Sequence, residues 1–396
     1  MEYDTESEEQ SALRKLARDV AERELAPRAT HWDETEEFPH ASWDAMRAAG
    51  LFGVTTGEAY GGAGLGDVES TIVLEELARA CVSSAILTQL TFNGAPRAIE
   101  HLGNDRLKHR WLPAAASGEH LFSVGISEPD AGSAATHIRT QLTPDGDGFR
   151  LTGYKNYVTG GHVAGACLVW TRWPGSEGSR GIGSVVIDLK ADGVKVVGTH
   201  KKMGLRGTSE AELAFDDVRV EPDDVLVPGA EDTSSFRSLI SHLNHERCGN
   251  ASMCVGAAQG ALEHAIRYMN ERSVGGKLLS ELQGLQWKIA DMAIRLEGAR
   301  LLLYRAVSRA GPHGTPPALE TALAKAACNL AARDVCDEAI QIFGGYGYSR
   351  EYPLERIYRD IRGLLIGAGT VEVQRNLIAS HLLRGKTPPG PAWRIG

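Results

Sequence analysis

The spacing of apolar residues divides the chain into three stretches of different character. In the first, apolar positions recur every three or four residues, as at Leu13, Leu16 and Val20, which is the period of an amphipathic helix. We expect Pro27 to end the first helix, because proline lacks the backbone N–H that a helix interior requires. Residues 1–120 are therefore predicted to form an N-terminal α-helical domain.

Short β-type runs replace the helical period in the middle of the chain. Clusters of glycine, proline and aspartate separate these runs, as they do between the strands of an all-β unit. Residues 121–230 are therefore predicted to form a middle β domain. The runs on which this prediction rests are residues 149–152, 166–170, 184–187 and 194–197.

Long helical patterns return towards the C-terminus. Small residues at 256–261 would let one helix approach a neighbour closely, as in a helical bundle. Residues 231–396 are therefore predicted to form a helical bundle, and the fold class is α+β, mainly α. A second helix is indicated by one apolar stripe, formed by Leu285, Ile289, Met292, Leu296, Ala299 and Leu303.

Composition and charge narrow the possible functions. A net charge of -9 argues against a nucleic-acid-binding protein, which needs a basic face. No run of 18 apolar residues is present, so we expect no membrane span. The acidic N-terminus has no apolar segment of the kind found in secretory signals, and we expect a cytoplasmic protein.

The cysteines and histidines do not form a recognisable metal-binding pattern. The six cysteines include no Cys-x-x-Cys pair, which favours buried free thiols over disulfides or metal ligands. The 13 histidines show no His-Glu-x-x-His spacing. From these spacings we predict no metal site.

Several glycine-containing segments invite a functional interpretation but are weak when taken singly. The glycine-rich segment 61–66 does not have the Gly-x-Gly-x-x-Gly spacing of a dinucleotide-binding fold and is predicted to be a surface loop. Segments 127–133, 157–161 and 341–348 could each be an ordinary turn, strand end or helix C-cap. Their order along the chain, however, is informative.

Taken together, these segments resemble the acyl-CoA dehydrogenase family of flavoproteins over nearly the whole chain. The resemblance implies an α-helical N-terminal domain, a β-barrel-like middle domain and a C-terminal four-helix bundle. It also implies one non-covalent FAD per subunit and a homo-oligomer, either a tetramer or a dimer. The matching segments are residues 127–133, 155–159, 202–208, 271–272, 283–292, 341–348 and 366–375.

The resemblance implies two groups of FAD-binding residues. A tryptophan is commoner in the family at Tyr157, and the usual Gln-Phe-Gly is replaced by 274–276 here. The residues implied to contact the flavin are Ile126, Ser127, Gly132, Ser133, Tyr157, Val158 and Thr159. The residues implied to hold pyrophosphate and adenosine, partly across a subunit interface, are Arg272, Gln283, Gln341, Gly344, Gly345, Thr370 and Glu372.

The family reaction removes two hydrogens across the Cα–Cβ bond of an acyl thioester. A carboxylate takes the α-proton, donors stabilise the developing enolate, and the flavin carries the hydride chemistry. The position of Ala368 often carries that carboxylate in the family, so the side chain at 368 cannot act as the base here. The backbone N–H of Ala368 remains to bond the thioester carbonyl. The substrate-binding residues that the resemblance implies are Ser133, Arg247, Ala368 and Gly369.

Glu246 is the candidate that replaces the missing base. The isovaleryl-CoA dehydrogenase branch of the family has the same Gly-Ala-Gly-Thr arrangement and takes its base from a Glu-Arg pair on the first helix of the C-terminal bundle. Glu246 and Arg247 fall at that place, with Arg247 expected to orient the site. The alternative is that Glu246 is a helix-terminal carboxylate paired with an arginine.

Several functions stay open from the sequence. The first is α,β-dehydrogenation of a short or branched acyl-CoA, with an electron-transfer flavoprotein as a possible acceptor. The second is the same oxidation of an acyl or aminoacyl group, such as prolyl, carried on an acyl-carrier protein. The others are a flavin oxidase or monooxygenase, and an acyl-binding relative that does not turn over.

Overall fold

The computed structural model describes residues 6–311 and 314–383. The first five residues, which contribute to the expectation about a signal segment, lie outside the described part. The described residues form two compact units, which are treated separately below. Unit 1 comprises residues 6–30, 71–82, 247–311 and 314–383. Unit 2 comprises residues 31–70 and 83–246.

Helices dominate the first part of the chain and its C-terminal part, as predicted. The α-helices are α1 (Glu8–Val20), α2 (Ala29–Thr35), α3 (His40–Ala48), α4 (Asp67–Ala80), α5 (Val82–Asn93), α6 (Ala95–Leu102), α7 (Asp105–Ala116), α8 (Ser234–Glu271), α9 (Gln283–Ser308), α10 (Ala318–Phe343), α11 (Leu354–Leu364) and α12 (Val371–Leu383). Within the described residues, none of these helices combines the length and apolar character that a bilayer span requires.

Strands fill the middle of the chain, and each of the four predicted runs lies within one of them. The sequence analysis did not find β1, β2, β7 and β8. The strands are β1 (Phe122–Gly125), β2 (Gln141–Asp145), β3 (Gly148–Thr159), β4 (Ala166–Arg172), β5 (Ile182–Asp188), β6 (Val194–Thr199), β7 (Glu210–Val220), β8 (Val225–Val227), β9 (Ser273–Val274) and β10 (Lys277–Leu278).

Eight of the strands form the sheet of unit 2, in the order β6-β7-β3-β2-β4-β5-β8 with β1 parallel to β4. Strand β4 is buried along its whole length because both of its faces are covered. Cys167 and Val169 face an inner core formed by the strands, whereas Leu168 and Trp170 face a second core shared with α6 and α7. The sheet is thereby fixed between two apolar cores.

Pro27 does not end the helical path, which corrects the prediction. The α-helix ends earlier, at Val20, and is followed by a π-helical turn and then a 3-10 turn (Ala26–Arg28) that leads into α2. Pro27 lies at the start of that 3-10 turn, where no intrahelical partner is required for its missing N–H. The chain therefore passes the proline without leaving a helical conformation.

Small residues bring α4 and α8 into close contact in unit 1, as the 256–261 pattern predicts. A Cβ on Gly256 would lie 2.2 Å from the carbonyl oxygen of Glu75, and a Cβ on Gly260 would lie 2.4 Å from that of Arg79. Real atoms do not approach this closely, so glycine is required at both positions. The predicted stripe on α9 is also buried at Met292, Leu296, Ala299 and Leu303.

A cluster of charged side chains links α1 to α4 within unit 1. The carboxylate of Glu76 accepts hydrogen bonds from Arg14 at 2.8 Å and from Arg18 at 2.9 Å, and only 4% of its side chain is exposed. Burial alone would raise the pKa of Glu76, but the two guanidinium groups outweigh it and the pKa is lowered. Ionised Glu76 therefore stabilises the fold.

We expect Glu76→Gln to lower the free energy of unfolding by about 2–3 kcal/mol near neutral pH, because it removes the charge-assisted hydrogen bonds of a buried carboxylate to Arg14 and Arg18. Since the pKa of Glu76 is lowered on folding, its contribution is present above the unfolded pKa and is lost as the pH falls below about 4.5. Denaturant unfolding at several pH values measures both effects.

Glu22→Gln is the matched control, because Glu22 pairs with Arg79 in the same unit but its side chain is 57% exposed. This exposed pair is expected to contribute no more than about 1 kcal/mol. Equal losses in the two variants, or a Glu76→Gln loss that does not shrink in acid, would contradict the proposed stabilisation by Glu76.

Candidate functional site

The segment after β1 is held in place by one buried carboxylate of unit 2. Glu128 accepts hydrogen bonds from the backbone N–H of Arg139 at 2.6 Å, from the hydroxyl of Thr140 at 2.7 Å and from Nζ of Lys155 at 2.7 Å. The Lys155 ammonium also donates to the carbonyl of Ile126 at 3.1 Å. These bonds fix Ile126 and Ser127, two of the predicted flavin contacts, against β3.

Lys155 and Glu128 form a buried ion pair. The Lys155 side chain is fully buried, and burial lowers its pKa to about 8 although Glu128 acts in the opposite direction. Burial alone would raise the pKa of Glu128, but Lys155 and Thr140 outweigh it and the pKa is lowered. Both groups are therefore charged at neutral pH, and each depends on the other to remain so.

Gly132 and Ser133 lie on the exposed side of this segment. A Cβ on Gly132 would meet no atom within 4 Å, so open space lies beside its backbone. Ser133 is also exposed, whereas Ile126 and Ser127 are half-buried. The segment thus presents a backbone surface that a planar ligand could approach.

Tyr157 lies at a bulge in β3. The register between β3 and β7 shifts between Lys155 and Val158, and Tyr157 has a positive φ of 55°. Bulges redirect side chains and are frequent beside active sites. The Tyr157 ring is 60% exposed and stacks on His200 with ring centroids 4.5 Å apart. The exposed part of the Tyr157 ring therefore offers an aromatic surface to a ligand, in addition to the backbone surface at Gly132.

The next two predicted flavin contacts differ in what they can offer. The Val158 side chain is fully buried in the inner core of the sheet, so only its backbone can contact a ligand. The Thr159 hydroxyl donates to the carboxylate of Glu210 at 2.9 Å, and the Thr159 carbonyl accepts from Ser123 at 2.7 Å. Thr159 is thereby fixed from both sides, with its hydroxyl hydrogen already engaged.

A cleft of about 450 Å³ lies in unit 1 near the ends of α8 and α10. Arg272, Gly344 and Gly345, all predicted to hold the pyrophosphate end of FAD, line it together with Tyr268 and Tyr346. The Arg272 guanidinium lies 5.6 Å from the centroid of the Tyr346 ring, and a Cβ on either glycine would meet nothing within 4 Å. The cleft combines a cation with open backbone, which suits an anionic ligand.

The other residues predicted for this end of FAD do not line the cleft. Gln341 is exposed on the last turn of α10, and Gln283 is exposed at the first residue of α9. Thr370 caps α12 by accepting from the N–H of Val373 at 3.3 Å. Glu372 is exposed in the first turn of that helix. Within unit 1 the predicted residues therefore fall in more than one place.

The loop after α11 has an unusual backbone at Ala368. Its φ is 54°, a left-handed conformation that disfavours a non-glycine residue, and Gly369 follows with a φ of 88°. The Gly369 carbonyl accepts from Gln374 at 3.0 Å, and the Ala368 carbonyl accepts from Arg247 at 3.4 Å. Within residues 6–311 and 314–383 the Ala368 N–H has no acceptor. This donor remains available to a ligand.

A buried chain of hydrogen bonds supports this loop from within unit 1. Lys325 donates to Asn329 at 2.9 Å, Asn329 donates to Asn250 at 3.0 Å, and Asn250 donates to the carbonyl of Leu364 at 3.0 Å. Burial lowers the pKa of Lys325 to about 8. Leu364 is the last residue of α11, so the chain fixes the point from which the loop departs.

Glu246 and Arg247 are consecutive residues of α8. Glu246 is half-buried and lies twelve residues after the first residue of the 38-residue helix, so it is not the helix-terminal carboxylate of the alternative interpretation. The same helix also carries Gly256 and Gly260. Arg247 is buried.

A cluster of histidines in unit 2 was not recognised from the sequence. His101, His242 and His245 are brought together with their ring nitrogens within 4.8 Å of one another. The pair His242 and His245 has helical spacing, but His101 comes from another helix far away in sequence. No local motif could have joined it to them.

Comparison with known proteins identifies the family. Models of the acyl-CoA dehydrogenase N-terminal, middle and C-terminal domains match residues 7–119, 123–218 and 236–383. The chain belongs to the acyl-CoA dehydrogenase family. It is an oxidoreductase whose cofactor is FAD, as predicted. The exposed glycines, the Arg272 cleft and the open backbone at Gly132 fit such a cofactor.

Individual relatives align with this chain over most of their own length. A short-chain specific acyl-CoA dehydrogenase of mouse mitochondria is 36% identical over 94% of this chain and 89% of that protein. A 3-sulfinopropanoyl-CoA desulfinase of Paraburkholderia xenovorans is 35% identical over 95% of this chain and 96% of that protein. The structure of butyryl-CoA dehydrogenase from Megasphaera elsdenii matches with a TM-score of 0.92 and 31% identity, covering 97% of this chain and all of that one.

We expect Lys155→Met to destabilise the protein by about 3–5 kcal/mol, because it leaves the Glu128 carboxylate buried without its counter-ion. The same change should lower the FAD content per chain, since Ile126 loses its hydrogen bond to the ammonium. Denaturant unfolding and the flavin-to-protein absorbance ratio measure the two effects.

Two further variants separate the ion pair from a general effect of the substitution. The double variant Glu128→Gln/Lys155→Met removes both charges and should be more stable than Lys155→Met alone. Lys195→Met removes a lysine that is 64% exposed and pairs with Asp216, and it should change stability by less than about 1 kcal/mol. A Lys155→Met protein with normal stability and full FAD would refute the role of the pair.

Proposed function

We propose that this enzyme catalyses the α,β-dehydrogenation of a short or branched acyl-CoA thioester with Glu246 as the base. The observation that carries the proposal is the N–H of Ala368, which has no acceptor among the described residues, at a position whose methyl side chain cannot act as a base. The backbone at Ala368 is suited to donate a hydrogen bond to the thioester carbonyl. The α-proton of the substrate must then be taken by another residue.

Glu246 is proposed for that role for two reasons. It is a half-buried carboxylate, the type of group that serves as a general base for a proton on carbon. It is also joined by one peptide bond to Arg247, whose guanidinium donates to the Ala368 carbonyl. Arg247 is proposed to position the Ala368 N–H, with Gly369 and Ser133 as further substrate contacts.

In the proposed mechanism the Ala368 N–H binds the thioester carbonyl oxygen and stabilises the negative charge that develops there. Glu246 removes the proton from Cα and retains it on its carboxyl group. Bound FAD supplies the acceptor for the hydride that leaves Cβ. Ile126, Ser127, Gly132, Ser133, Tyr157, Val158 and Thr159 are proposed to hold the flavin.

We expect Glu246→Gln to lower the rate of flavin reduction by the best acyl-CoA by about 10²–10⁴-fold, the usual contribution of a positioned base. The measurement is anaerobic mixing of the purified holoenzyme with a panel of acyl-CoA thioesters, including butyryl-CoA and isovaleryl-CoA, while flavin absorbance is followed. FAD content and the thermal midpoint report whether the variant is intact.

Two companion variants sharpen the test. Glu246→Gln/Ala368→Glu returns a carboxylate to the position used by other members of the family and should restore part of the lost rate. Glu231→Gln, which changes an exposed carboxylate just before α8, should leave the rate unchanged. An unaltered rate in Glu246→Gln would refute the base assignment. Absence of bleaching by every CoA ester would refute the acyl-CoA substrate, and thioesters on acyl-carrier protein would be tested next.

We further propose that the active enzyme is a homotetramer. Trp287, Ile294 and Leu301 are spaced by seven residues along α9 and are 63%, 69% and 54% exposed, which is an apolar row suited to packing against another helix. Of the residues predicted to bind the pyrophosphate and adenosine of FAD, only Arg272, Gly344 and Gly345 line the cleft. A second copy of the chain that covers α9 is proposed to complete the FAD site.

We expect Ile294→Lys/Leu301→Lys to dissociate the assembly and to lower the FAD content, because it places two charges in an apolar interface. Light scattering coupled to size-exclusion chromatography measures the mass. Val197→Lys changes an apolar residue that is 57% exposed on β6 and should leave both mass and FAD content unchanged. A variant with unaltered mass would show that α9 is not the interface.

A further inference from the structure

The three histidines of unit 2 lie on two helices and converge on one point. His101 is near the C-terminal end of α6, and His242 and His245 are one turn apart on α8. Their ring centroids are 5.1–5.8 Å apart, and the candidate ligand nitrogens all lie within 4.8 Å of one another. His242 and His245 are buried, and His101 is partly exposed.

The hydrogen bonds of His245 determine which ring nitrogen has a free lone pair. Its Nδ1 lies 2.7 Å from the Oδ1 atom of Asp67, and a carboxylate can only accept, so Nδ1 carries the hydrogen. In neutral His245, Nε2 then has a lone pair. This atom is buried and has no hydrogen-bond partner in the described part of the chain.

His242 has the same arrangement. Its ring hydrogen-bonds to the backbone of Gly94, and because Nε2 has no partner among the described residues, this bond engages Nδ1. In neutral His242, Nε2 then has a lone pair, as it does in neutral His245.

When both rings are neutral, the two buried Nε2 lone pairs have no donor, which is unfavourable unless something binds them. A carboxylate or another acceptor could not, because both atoms are themselves acceptors. A cation that prefers imidazole ligands could bind both and could also bind a nitrogen of His101. The Asp67–His245 pair is the carboxylate–histidine arrangement that orients ligands in metal sites.

We propose that His101, His242 and His245 bind one divalent ion of the zinc class, with Asp67 orienting His245. Zinc bound by three neutral histidines retains an open fourth position, which water or an anion fills. Tetrahedral zinc with bonds of about 2.0 Å would bring the ligand nitrogens to about 3.3 Å from one another. The cluster must therefore contract slightly when the ion binds.

The charges around the three histidines determine which fourth ligand a bound ion would take. Asp67 also pairs with the buried Arg97, with an oxygen 3.3 Å from the guanidinium, so its negative charge is shared between Arg97 and His245. The ion would bring two positive charges next to this pair. We therefore expect the fourth ligand to be hydroxide or another small anion, which offsets part of that charge.

The test uses the FAD-loaded enzyme, treated with a chelator, desalted and titrated with Zn²⁺ and, separately, with Co²⁺. Equilibrium dialysis with elemental analysis should give one ion per chain. Co²⁺ should produce the strong visible absorption of a tetrahedral site after the flavin spectrum is subtracted. His101→Gln and His242→Gln should each weaken binding at least tenfold, and Asp67→Asn about 10–100-fold.

His109→Gln is the matched control, because His109 is an exposed histidine of α7 outside the cluster, and it should bind as the unaltered protein does. Undiminished binding in His101→Gln/His242→Gln would refute the site. Failure of the unaltered enzyme to bind either ion would also refute it, and would favour a water molecule that donates to both Nε2 atoms. Neither result depends on the proposed dehydrogenation, because no thioester is present.

Discussion

The free-energy cost of removing charged and polar groups from water constrains both units of this protein. Each unit contains buried charges that are matched by partners from other parts of the same unit. Glu76 is matched by Arg14 and Arg18, and Glu128 by Lys155. Breaking one member of a buried pair typically costs about 3–5 kcal/mol, so these contacts hold their segments in one arrangement. The Glu128–Lys155 pair in particular fixes the segment that begins the candidate flavin site.

Three of the polar atoms that lack such a partner bear on function. In the described part of the chain, the N–H of Ala368 and the Nε2 atoms of His242 and His245 have no partner. Their chemistry differs, because the first is a donor and the other two are acceptors. A thioester carbonyl suits the donor, whereas a metal ion or a water molecule suits the acceptors. The proposed substrate and metal sites rest on these unmatched atoms, and each site is argued from its own chemistry.

The sequence predicted the fold well because its main signals are local. The structure confirms the change from helical spacing to short β-type runs and back, which the apolar pattern of each stretch predicted. The paired strand β7 was missed although it is 11 residues long, because acidic residues such as Asp216 and Asp217 interrupt its apolar alternation. FAD was predicted from the resemblance to the family, which rests on the order of the matching segments along the chain. The histidine cluster could not be predicted, because His101 and His245 are far apart in sequence and meet only in the folded chain.

The conformation of Ala368 bears directly on the proposed location of the base. A left-handed non-glycine residue costs about 1–3 kcal/mol, which the Arg247 contact and the buried chain from Lys325 to Leu364 help to offset. A methyl group contributes no chemistry to the reaction, so the side chain cannot be the reason for this conformation. The conformation does determine where the backbone N–H points. If that donor binds the thioester carbonyl, the function of the loop is complete without a carboxylate. The base can then reside on α8, next to Arg247, which holds the loop's own carbonyl in place.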